Sequence, residues 1–471
     1  MDNYKETVGI EVHAELKTNT KIFSNSINGY ASMANTNVNV VDLAYPGTLP
    51  TLNKEVINKA LKAALILNCE INKEMHFDRK NYFYPDLPKG YQITQSRTPI
   101  GVNGYVEIDI DGVKKKIGIH DIHIEEDTCK SIHYNNTSLL DFNRAGVPLI
   151  EIVTKPDISN SKEAILYLEK LRELLLYADV SDCKIEEGSM RCDVNVSVSN
   201  TDKLGTRSEI KNIGSISNVA LAIESEKKRH INAILNGEVL KEDTRRFDEK
   251  TNTTILMRVK ETGNDYRYFP EPDIPYVVLT SEYIENIKND IPMLADTRRS
   301  IYVNNGISLL NANKIIQNRK ISDYLNKYLD KNINLVIASN LLLGDIASYL
   351  NKNNTSMDET KFNEEKFIEV VTKLDSGDIS SKIFKEILED LFETDESVEA
   401  LLTKHGISKL STEDLRIIIK NIIDNNKDNV EQYKNGNDRI FKFFVGQVMK
   451  ETKGSANPEL VNNILLEELS K

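Results

Sequence analysis

Hydrophobic and polar residues alternate along the first strand-like segment of the chain, which runs from Val8 to Glu15. Alternation with a period of two is typical of a β-strand that buries one face. The polar positions are Glu11, His13 and Glu15, so their side chains project from the same side. Alternate residues on one strand face are close enough to bind a single hydrated divalent ion. The segment therefore predicts a strand that carries a candidate metal or proton-transfer site.

Strand-like and helix-like patterns mix up to about residue 280. Apolar residues at helical spacing predict helices over 54–67 and 161–177, and Asn160 or Ser161 can cap the second. Strands are predicted at 7–16, 105–110, 116–127, 148–154, 184–198 and 207–213. Strands with polar outer faces are typical of antiparallel sheets that are covered by helices on the other side.

The pattern becomes helical after about residue 290, where glycine and proline are rarer. Helices are predicted at 315–329, 335–350, 365–374 and 379–392. After an acidic break near 393–396, further helices are predicted at 397–404, 412–424, 427–434, 438–451 and 458–469. The predicted fold class is α+β. A sheet-and-helix domain over 1–292 precedes an all-α connector over 293–395 and an all-α tail over 396–471.

Composition indicates an ordinary globular protein of several domains. A chain of 471 residues, with 40% hydrophobic and 28% charged residues, exceeds what one compact core usually holds. There is no signal peptide and no apolar run of about 18 residues, so a cytoplasmic location is predicted. The four cysteines form no Cys-x-x-Cys pair, which argues against a disulfide framework and a structural zinc site. The net charge of −12 does not indicate a nucleic-acid binder, although an acidic protein can carry a local basic surface.

Two further acidic strands strengthen the metal hypothesis. Glu151 lies in the apolar strand 147–153, and residues 123–127 read His-Ile-Glu-Glu-Asp. Alternation places Glu125 on the polar face of its strand and Glu126 on the apolar face. Because a buried carboxylate requires a charged partner, Glu126 is predicted as the ligand in preference to Glu125. Carboxylates with one imidazole suit Mg²⁺ better than zinc. The predicted catalytic cluster is Glu11, His13, Glu126 and Glu151.

Cation-rich segments lie between these strands, at 78–93, 187–195, 205–212, 244–248, 257–260 and 265–273. Each segment alone is more typical of a solvated surface. Beside a carboxylate cluster, however, cations suit the phosphates of a metal-bound nucleotide. The absence of Walker A, Gly-x-Gly-x-x-Gly and Gly-x-Ser-x-Gly motifs argues against P-loop, Rossmann and α/β-hydrolase sites. The residues predicted to contact ATP are Lys80, Arg191, Asp193, Arg207, Lys211 and Arg258.

Several long motifs resemble the B subunit of the glutamyl-tRNA(Gln)/aspartyl-tRNA(Asn) amidotransferase family. They occur in the family's order at 9–18, 42–50, 77–86, 123–127, 141–151, 186–196 and 265–273. The resemblance covers the whole chain and implies a cradle-shaped kinase domain related in fold to glutamine synthetase, a helical connector and a tail. It also implies that ATP phosphorylates the side-chain carboxylate of glutamate or aspartate misacylated onto tRNA, and that ammonia then displaces the phosphate.

The resemblance further implies cofactors and partners. Ammonia would arrive through a channel from the glutaminase, or A, subunit, and a small C subunit would hold the two larger ones together. The family's Mg²⁺ ligands fall on His13, Glu126 and Glu151, with Glu11 nearby. Some members hold zinc through cysteines in the segment that corresponds to residues 24–45. This chain has no cysteine there, so no zinc is expected.

A basic stretch in the tail suggests contact with RNA. Its cations outnumber a single acid, Glu451, for a local charge of +3. Alone, the stretch is equally typical of a solvated helix face, and the resemblance favours contact with the tRNA elbow. The residues predicted to contact nucleic acid are Arg439, Lys442, Lys450 and Lys453.

Two other classes of function stay open at this point. A His-carboxylate cluster can also activate water in a metal-dependent hydrolase, and a helical tail can belong to a non-catalytic tRNA-binding scaffold. The sequence does not indicate which misacylated tRNA is used, which cations contact ATP or which residues line the ammonia channel.

Overall fold

The computed structural model describes residues 4–29, 33–259, 266–406, 412–437, 439–452, 456 and 458–470. Contacts divide the chain into two compact units, Met1–Ala295 and Asp296–Lys471. This division lies close to the predicted boundary at 292, and the boundaries at 292 and 395 both stay predictions. Among the described residues, no helix combines the length and apolar character needed to cross a membrane.

The first unit contains the strands. Numbered in chain order, they are β1 (Lys5–Glu15), β2 (Glu70–Ile71), β3 (Glu74–Met75), β4 (Asp78–Asn81), β5 (Tyr91–Thr94), β6 (Gly101–Val102), β7 (Tyr105–Ile110), β8 (Val113–Glu126), β9 (Lys130–Tyr134), β10 (Thr137–Asp141), β11 (Pro148–Thr154), β12 (Met190–Ser199), β13 (Ser208–Lys211), β14 (Asp243–Asp248), β15 (Thr253–Val259), β16 (Phe269–Pro270) and β17 (Val277–Val278).

Within the described part of the first unit, four α-helices accompany these strands, and the second unit is helical. The helices are α1 (Lys54–Ile66), α2 (Ser161–Tyr177), α3 (Ile216–Leu235), α4 (Ser281–Asn289), α5 (Ala295–Asn304), α6 (Leu309–Gln317), α7 (Arg319–Asn326), α8 (Leu335–Leu341), α9 (Ala347–Asn353), α10 (Glu364–Asp375), α11 (Ser381–Glu393), α12 (Val398–Lys404), α13 (Thr412–Asp424), α14 (Lys427–Lys434), α15 (Arg439–Glu451) and α16 (Pro458–Leu469). This arrangement confirms the predicted α+β class.

The strand β1 lies in the middle of the main sheet. The strand order is β15-β14-β13-β12-β1-β11-β8-β6-β2, and β7 pairs with β8. The pairs are antiparallel apart from the parallel pair β13–β14. Side chains directly opposite each other on paired strands project from the same face of a sheet. The register around β1 therefore decides which charged residues meet.

The alternation predicted for β1 is present in the structure. Val8, Ile10 and Val12 are buried in the core, and the residues between them face the other side of the sheet. The same core contains Leu171 of α2 and Ile223 of α3, so both helices cover the apolar face. The opposite face is left for the polar positions of β1 and its neighbours.

Sequence patterns predicted two helices of the first unit and missed two. Helices α1 and α2 occupy almost the predicted ranges, and Asn160 caps α2 by accepting a hydrogen bond from the Glu163 amide. The missed helices are α3 and the nine-residue α4. The buried stripe of α3 includes Glu226 and His230, which interrupt the apolar periodicity on which sequence prediction depends.

Most strand predictions are confirmed, with one start corrected. Strands β7 and β11 match the predicted ranges, but the strand predicted from residue 184 begins at Met190. A turn closed by the Gly188 amide and the Ile185 carbonyl precedes it, and Gly188 has a φ of +80°. The positive φ favours glycine and ends the extended backbone there.

The helical unit differs from prediction in two places. The helix predicted at 315–329 is split, because Asn318 ends α6 and caps α7. The helix predicted at 335–350 contains a π-helical turn, Leu342–Ile346, between α8 and α9. The five predicted tail helices correspond to α12–α16. Leu415 and Ile419 of α13 pack with Phe444 and Val448 of α15 in the core of this tail.

Candidate active site

The polar face of the main sheet brings charged side chains from several strands together. Position 13 on β1 pairs with Glu151 on β11 and with Arg191 on β12, while position 11 pairs with Asp193 on β12. Residues that are distant in sequence thus form two adjacent acidic clusters along β1.

Cluster 1 consists of His13, Glu125 and Glu151. Each offers a ligand atom within 4.8 Å of the others. His13 Nε2 lies 3.3 Å from a Glu125 oxygen and 3.4 Å from a Glu151 oxygen. Burial lowers the pKa of His13, but hydrogen bonds and charge from the two carboxylates outweigh it and raise the pKa to about 10. Two carboxylates and one imidazole form a donor set that suits a hydrated Mg²⁺.

The predicted choice of Glu126 for this cluster is corrected by the structure. In the β8–β11 register, Glu151 lies opposite His123 and Leu149 lies opposite Glu125, so Glu125 shares the face of Glu151. Glu126 points to the other side. Its carboxylate lies 2.7 Å from Lys89 Nζ and accepts a hydrogen bond of 2.9 Å from the Ile93 amide. Glu126 was predicted from its apolar strand neighbours, but its charge is compensated by these groups outside the cluster.

His123 supports cluster 1 from its outer side and was not predicted as a site residue. Its Nε2 lies 2.9 Å from a Glu151 oxygen, and its Nδ1 lies 2.8 Å from an Asp121 oxygen. Carboxylates only accept hydrogen bonds, so both ring nitrogens donate. Burial lowers the pKa of His123, but Glu151 and Asp121 raise it to about 10. His123 therefore fixes the orientation of the Glu151 carboxylate, as outer-shell groups do for metal ligands.

Cluster 2 consists of Glu11, Asp193 and Glu209, whose oxygens also lie within 4.8 Å of one another. Asn195 donates to a Glu11 oxygen at 2.8 Å. The buried Asn195 Oδ1 has no hydrogen-bond partner among the described residues. A buried carbonyl oxygen without a donor, on the same face of the sheet as three carboxylates, fits the oxygen coordination of Mg²⁺. Lys211 contacts two carboxylates of this cluster.

The predicted ATP-contacting cations differ in their surroundings and in their place on the sheet. Lys80 is half-buried, and although burial lowers its pKa, the charges of Glu125 and Tyr268 raise it. Arg191 lies across from His13 and contacts Asp127 at 2.5 Å.

The two remaining arginines differ in position. Arg207 lines a cleft next to Glu11. Arg258 lies on the outermost strand β15, opposite Thr244 of β14, which in turn lies opposite Glu209. The register therefore places Arg258 on the face of cluster 2, two strands from Glu209.

Two clefts flank the clusters at opposite ends of β1. The small cleft, about 270 Å³, lies at Glu11 and is lined by Gly9, Val153, Leu204 and Arg207 among others. The large cleft, about 580 Å³, begins at Glu15 and contains Lys17, Lys130, Arg144 and Arg191 together with several acids. The smaller cleft thus has a largely apolar surface, and the larger one is lined by four cations and five acids.

Three of the predicted nucleic-acid contacts share one face of α15. Arg439, Lys442 and Lys450 are exposed, while Phe444 and Val448 on the opposite side are buried. At about 100° per residue, the three cations fall within one narrow arc of the helix. The fourth predicted residue, Lys453, lies outside the described residues.

Sequence reasoning missed Glu125, Glu209, His123 and Asn195. The alternation Glu209-Ile210-Lys211 and the spacing from Asp193 to Asn195 place candidate ligands on common faces. The spacing does not indicate, however, that β12 pairs with β1 and β13. The strand order supplies that information.

Comparisons with known proteins agree with this architecture. A family model described as the GatB/GatE catalytic domain matches residues 6–285, and a GatB domain model matches residues 323–469. The chain is 46% identical over 473 residues to a protein of Bacillus mycoides (strain KBAB4) and 45% identical to one of Lysinibacillus sphaericus (strain C3-41). Both are named as the B subunit of aspartyl/glutamyl-tRNA(Asn/Gln) amidotransferase, and each alignment covers 100% of both chains.

Proposed function

Because this chain belongs to the family of B subunits of aspartyl/glutamyl-tRNA(Asn/Gln) amidotransferases, we propose that it activates the side-chain carboxylate of glutamate or aspartate carried on tRNA. A carboxylate oxygen attacks the γ-phosphorus of ATP, and the bond to ADP breaks. Ammonia then attacks the resulting acyl phosphate, phosphate leaves, and a proton is lost. The products are Gln-tRNA(Gln) or Asn-tRNA(Asn), together with ADP and phosphate.

The observation that carries this proposal is the pair of acidic clusters on one face of the sheet. Phosphoryl transfer between two anions requires positive charge to be held between them. Carboxylate clusters 1 and 2 lie next to each other along β1, and Lys80 and Arg191 lie beside them. A tRNA-binding scaffold has no use for two partly buried acidic clusters, which cost free energy unless cations compensate them.

The two clusters are suited to hold two Mg²⁺ ions. His13, Glu125 and Glu151 would hold one ion, and Glu11, Asp193, Glu209 and the Asn195 carbonyl oxygen would hold the other. When bound, Mg²⁺ neutralises charge on the phosphoryl group during its transfer. The protein contributes the fixed orientation of the ligands, through His123 on Glu151 and through the Asn195 amide on Glu11.

The two clefts offer separate places for the two substrates. The small cleft has an apolar lining that suits a nucleoside, and Glu11 of cluster 2 lies at its edge. The large cleft has the volume for the ester-linked amino acid, and its four cations, which lie among five acids, would contact the terminal phosphates of tRNA. ATP in the small cleft and the aminoacyl end in the large cleft would meet at the clusters.

The proposal includes the partners of the family. The glutaminase A subunit would supply the ammonia, the small C subunit would join the complex, and misacylated tRNA would contact the exposed cations of α15. A cytoplasmic location is proposed with them, as the sequence predicts.

The proposal is tested by supplying Mg·ATP, glutamine and either glutamyl-tRNA(Gln) or aspartyl-tRNA(Asn) to the chain co-purified with its A and C subunits. We expect amidation of at least one tRNA, together with phosphate release that depends on the aminoacyl group. Glu125→Gln removes a ligand of cluster 1, so it should lower amidation at least about a hundredfold while glutaminase activity remains.

Glu126→Gln is the matched variant, because it makes the same chemical change one residue along the strand. Since Glu126 faces away from cluster 1, this variant should keep Mn²⁺ binding and aminoacyl-dependent phosphate release. Loss of Mn²⁺ binding in Glu126→Gln, and not in Glu125→Gln, would contradict the assignment of cluster 1. Absence of amidation with both tRNAs in an intact complex would contradict the function.

A further inference from the structure

Lys211 lies where a positive charge is needed in cluster 2. Its ammonium group contacts the carboxylate of Asp193 and lies 2.8 Å from a Glu209 oxygen. Burial lowers the pKa of Lys211, but the charges of these two carboxylates outweigh it and raise the pKa. With a side chain about one-third exposed, Lys211 can still reach solvent. The ammonium therefore occupies part of the space between the carboxylates that a divalent ion would also use.

Two carboxylates of cluster 2 are held in place by groups other than Lys211. Asn195 donates to Glu11 at 2.8 Å, and Thr244 Oγ1 donates to Glu209 at 3.2 Å. These neutral donors fix the oxygens without neutralising their charge. If the ammonium group moves away, the ligand geometry stays and three negative charges are exposed to each other. Such an arrangement binds a divalent ion strongly.

We propose that Lys211 is an internal counter-cation that excludes the second divalent ion from cluster 2 until a nucleotide binds. The inference rests on the proposed function, because the phosphates of ATP are the anions that would attract the ammonium group. Lysine suits such an exchange, since its charge is compact and its four-carbon stem is flexible. On nucleotide binding, Lys211 moves from the carboxylates to a phosphate, and the ion that accompanies ATP takes the carboxylates.

The exchange explains why cluster 2 differs from cluster 1. In cluster 1 the side chain between the carboxylates is His13, whose Nε2 lies 3.3 Å from Glu125 and 3.4 Å from Glu151, and an imidazole nitrogen is itself a ligand of divalent ions. In cluster 2 an ammonium group has no lone pair in its charged form and competes with the ion. Cluster 1 is therefore expected to bind a divalent ion in the absence of nucleotide, and cluster 2 only with it.

The test is to count bound Mn²⁺ by electron paramagnetic resonance on the full chain, with and without a non-hydrolysable ATP analogue. Wild type should bind one Mn²⁺ without the analogue and a second one with it. Lys211→Met keeps the length of the side chain but removes the charge. This variant should bind two Mn²⁺ without the analogue, with the second site at least roughly tenfold tighter than in wild type.

Three further variants locate and control the effect. Lys162→Met removes an exposed ion pair with Asp111 elsewhere in the unit and should leave Mn²⁺ binding unchanged. Lys211→Arg keeps a cation and should behave as wild type without the analogue. Asp193→Asn combined with Lys211→Met should lose the gained site. Circular dichroism checks folding, and Lys211→Gln, which is neutral but still donates, replaces the methionine variant if that does not fold.

Two results would overturn the inference. The first is an equal Mn²⁺ count for wild type and the neutral variants without the analogue. The second is a wild type that binds two ions without the analogue. These measurements need neither tRNA nor ammonia. A complex that amidates no tRNA but shows the predicted Mn²⁺ counts would contradict the proposed function alone, and the reverse result would contradict the role of Lys211 alone.

Discussion

At the scale of single residues, the environment of Glu15 predicts how the stability of the protein depends on pH. Glu15 is the last polar residue of β1 and lines the large cleft. Burial raises the pKa of its carboxyl group, and the charge of Asp127 adds to this effect, so the pKa reaches about 7 against an ordinary value of 4.5. The folded protein therefore holds a proton on Glu15 at a pH where the unfolded chain has lost it.

This shift gives stability a defined pH dependence. Between about pH 4.5 and pH 7, the folded state binds more protons at Glu15 than the unfolded state, so the contribution of Glu15 to stability falls as pH rises. Glu15→Gln has no proton to lose. We expect it to be more stable than wild type by about 1–2 kcal/mol at about pH 8 and nearly equal at about pH 4.5, as measured by the melting temperature. A constant difference between the two proteins across this range would contradict the assignment.

Single residues also show how much of the two clusters could be predicted from the sequence alone. Alternation placed Glu11 and His13 on one face correctly, and it marked Glu151 as an acidic residue in an apolar strand. The choice between Glu125 and Glu126 could not be made from one strand, because the partner strand β11 decides which face carries the cluster. Burial did not separate them either, since the structure buries both carboxylates with different partners.

At the scale of elements, a buried polar network attaches α3 to the edge of the sheet. The fully buried Glu226 of α3 contacts His230 at 3.0 Å and accepts a hydrogen bond of 2.6 Å from Thr254 of β15. Arg229 of the same helix also contacts it, and Arg245 of β14 lies 3.5 Å away. The network is the reason that α3 lacked a continuous apolar stripe in the sequence. The sequence of α3 combines helical spacing with buried charged residues. Burial of these residues is compensated by their partners in β14 and β15.

Glu226→Gln tests this network. The substitution keeps the shape of the side chain but removes one counter-charge of Arg229 and Arg245, which also contact Asp243. We expect a loss of about 2 kcal/mol at about pH 7, as for a buried hydrogen bond to a charged group. Burial alone would raise the pKa of Glu226, but hydrogen bonds from His230 and Arg229 lower it below the ordinary value of 4.5. The stabilisation is therefore fully present above about pH 4.5 and is lost as the pH falls below it.

Denaturation by urea, followed by circular dichroism, measures the difference between wild type and Glu226→Gln. The difference should shrink as the pH is lowered from about 5 to about 3. Lys162→Met, which breaks an exposed ion pair on α2, should cost less than about 1 kcal/mol. A Glu226→Gln variant as stable as wild type at neutral pH would show that the network does not stabilise the attachment of α3.

At the scale of the whole molecule, an acidic protein has to bind an acidic polymer. The net charge of −12 opposes association with tRNA at long range, so contact requires a local basic surface. The exposed cations of α15 provide one, because helical spacing separates them from the buried Phe444 and Val448. The sequence could predict this face from its periodicity. The placement of the two acidic clusters could not be predicted in the same way, since it depends on strands that are far apart in the chain.

Lys442→Glu combined with Lys450→Glu should therefore weaken tRNA binding roughly tenfold or more and reduce the slope of log affinity against log salt by about 2, since each lysine near a phosphate releases about one counterion. Filter binding at several salt concentrations measures both quantities. Lys352→Glu with Lys382→Glu makes the same change of charge on α9 and α11, outside the tail. If this control lowered affinity equally, net charge would explain the effect. If only the α15 variant loses tRNA affinity, and its salt slope is smaller, the α15 lysines contact tRNA directly. An effect of net charge alone would be the same for both pairs of substitutions.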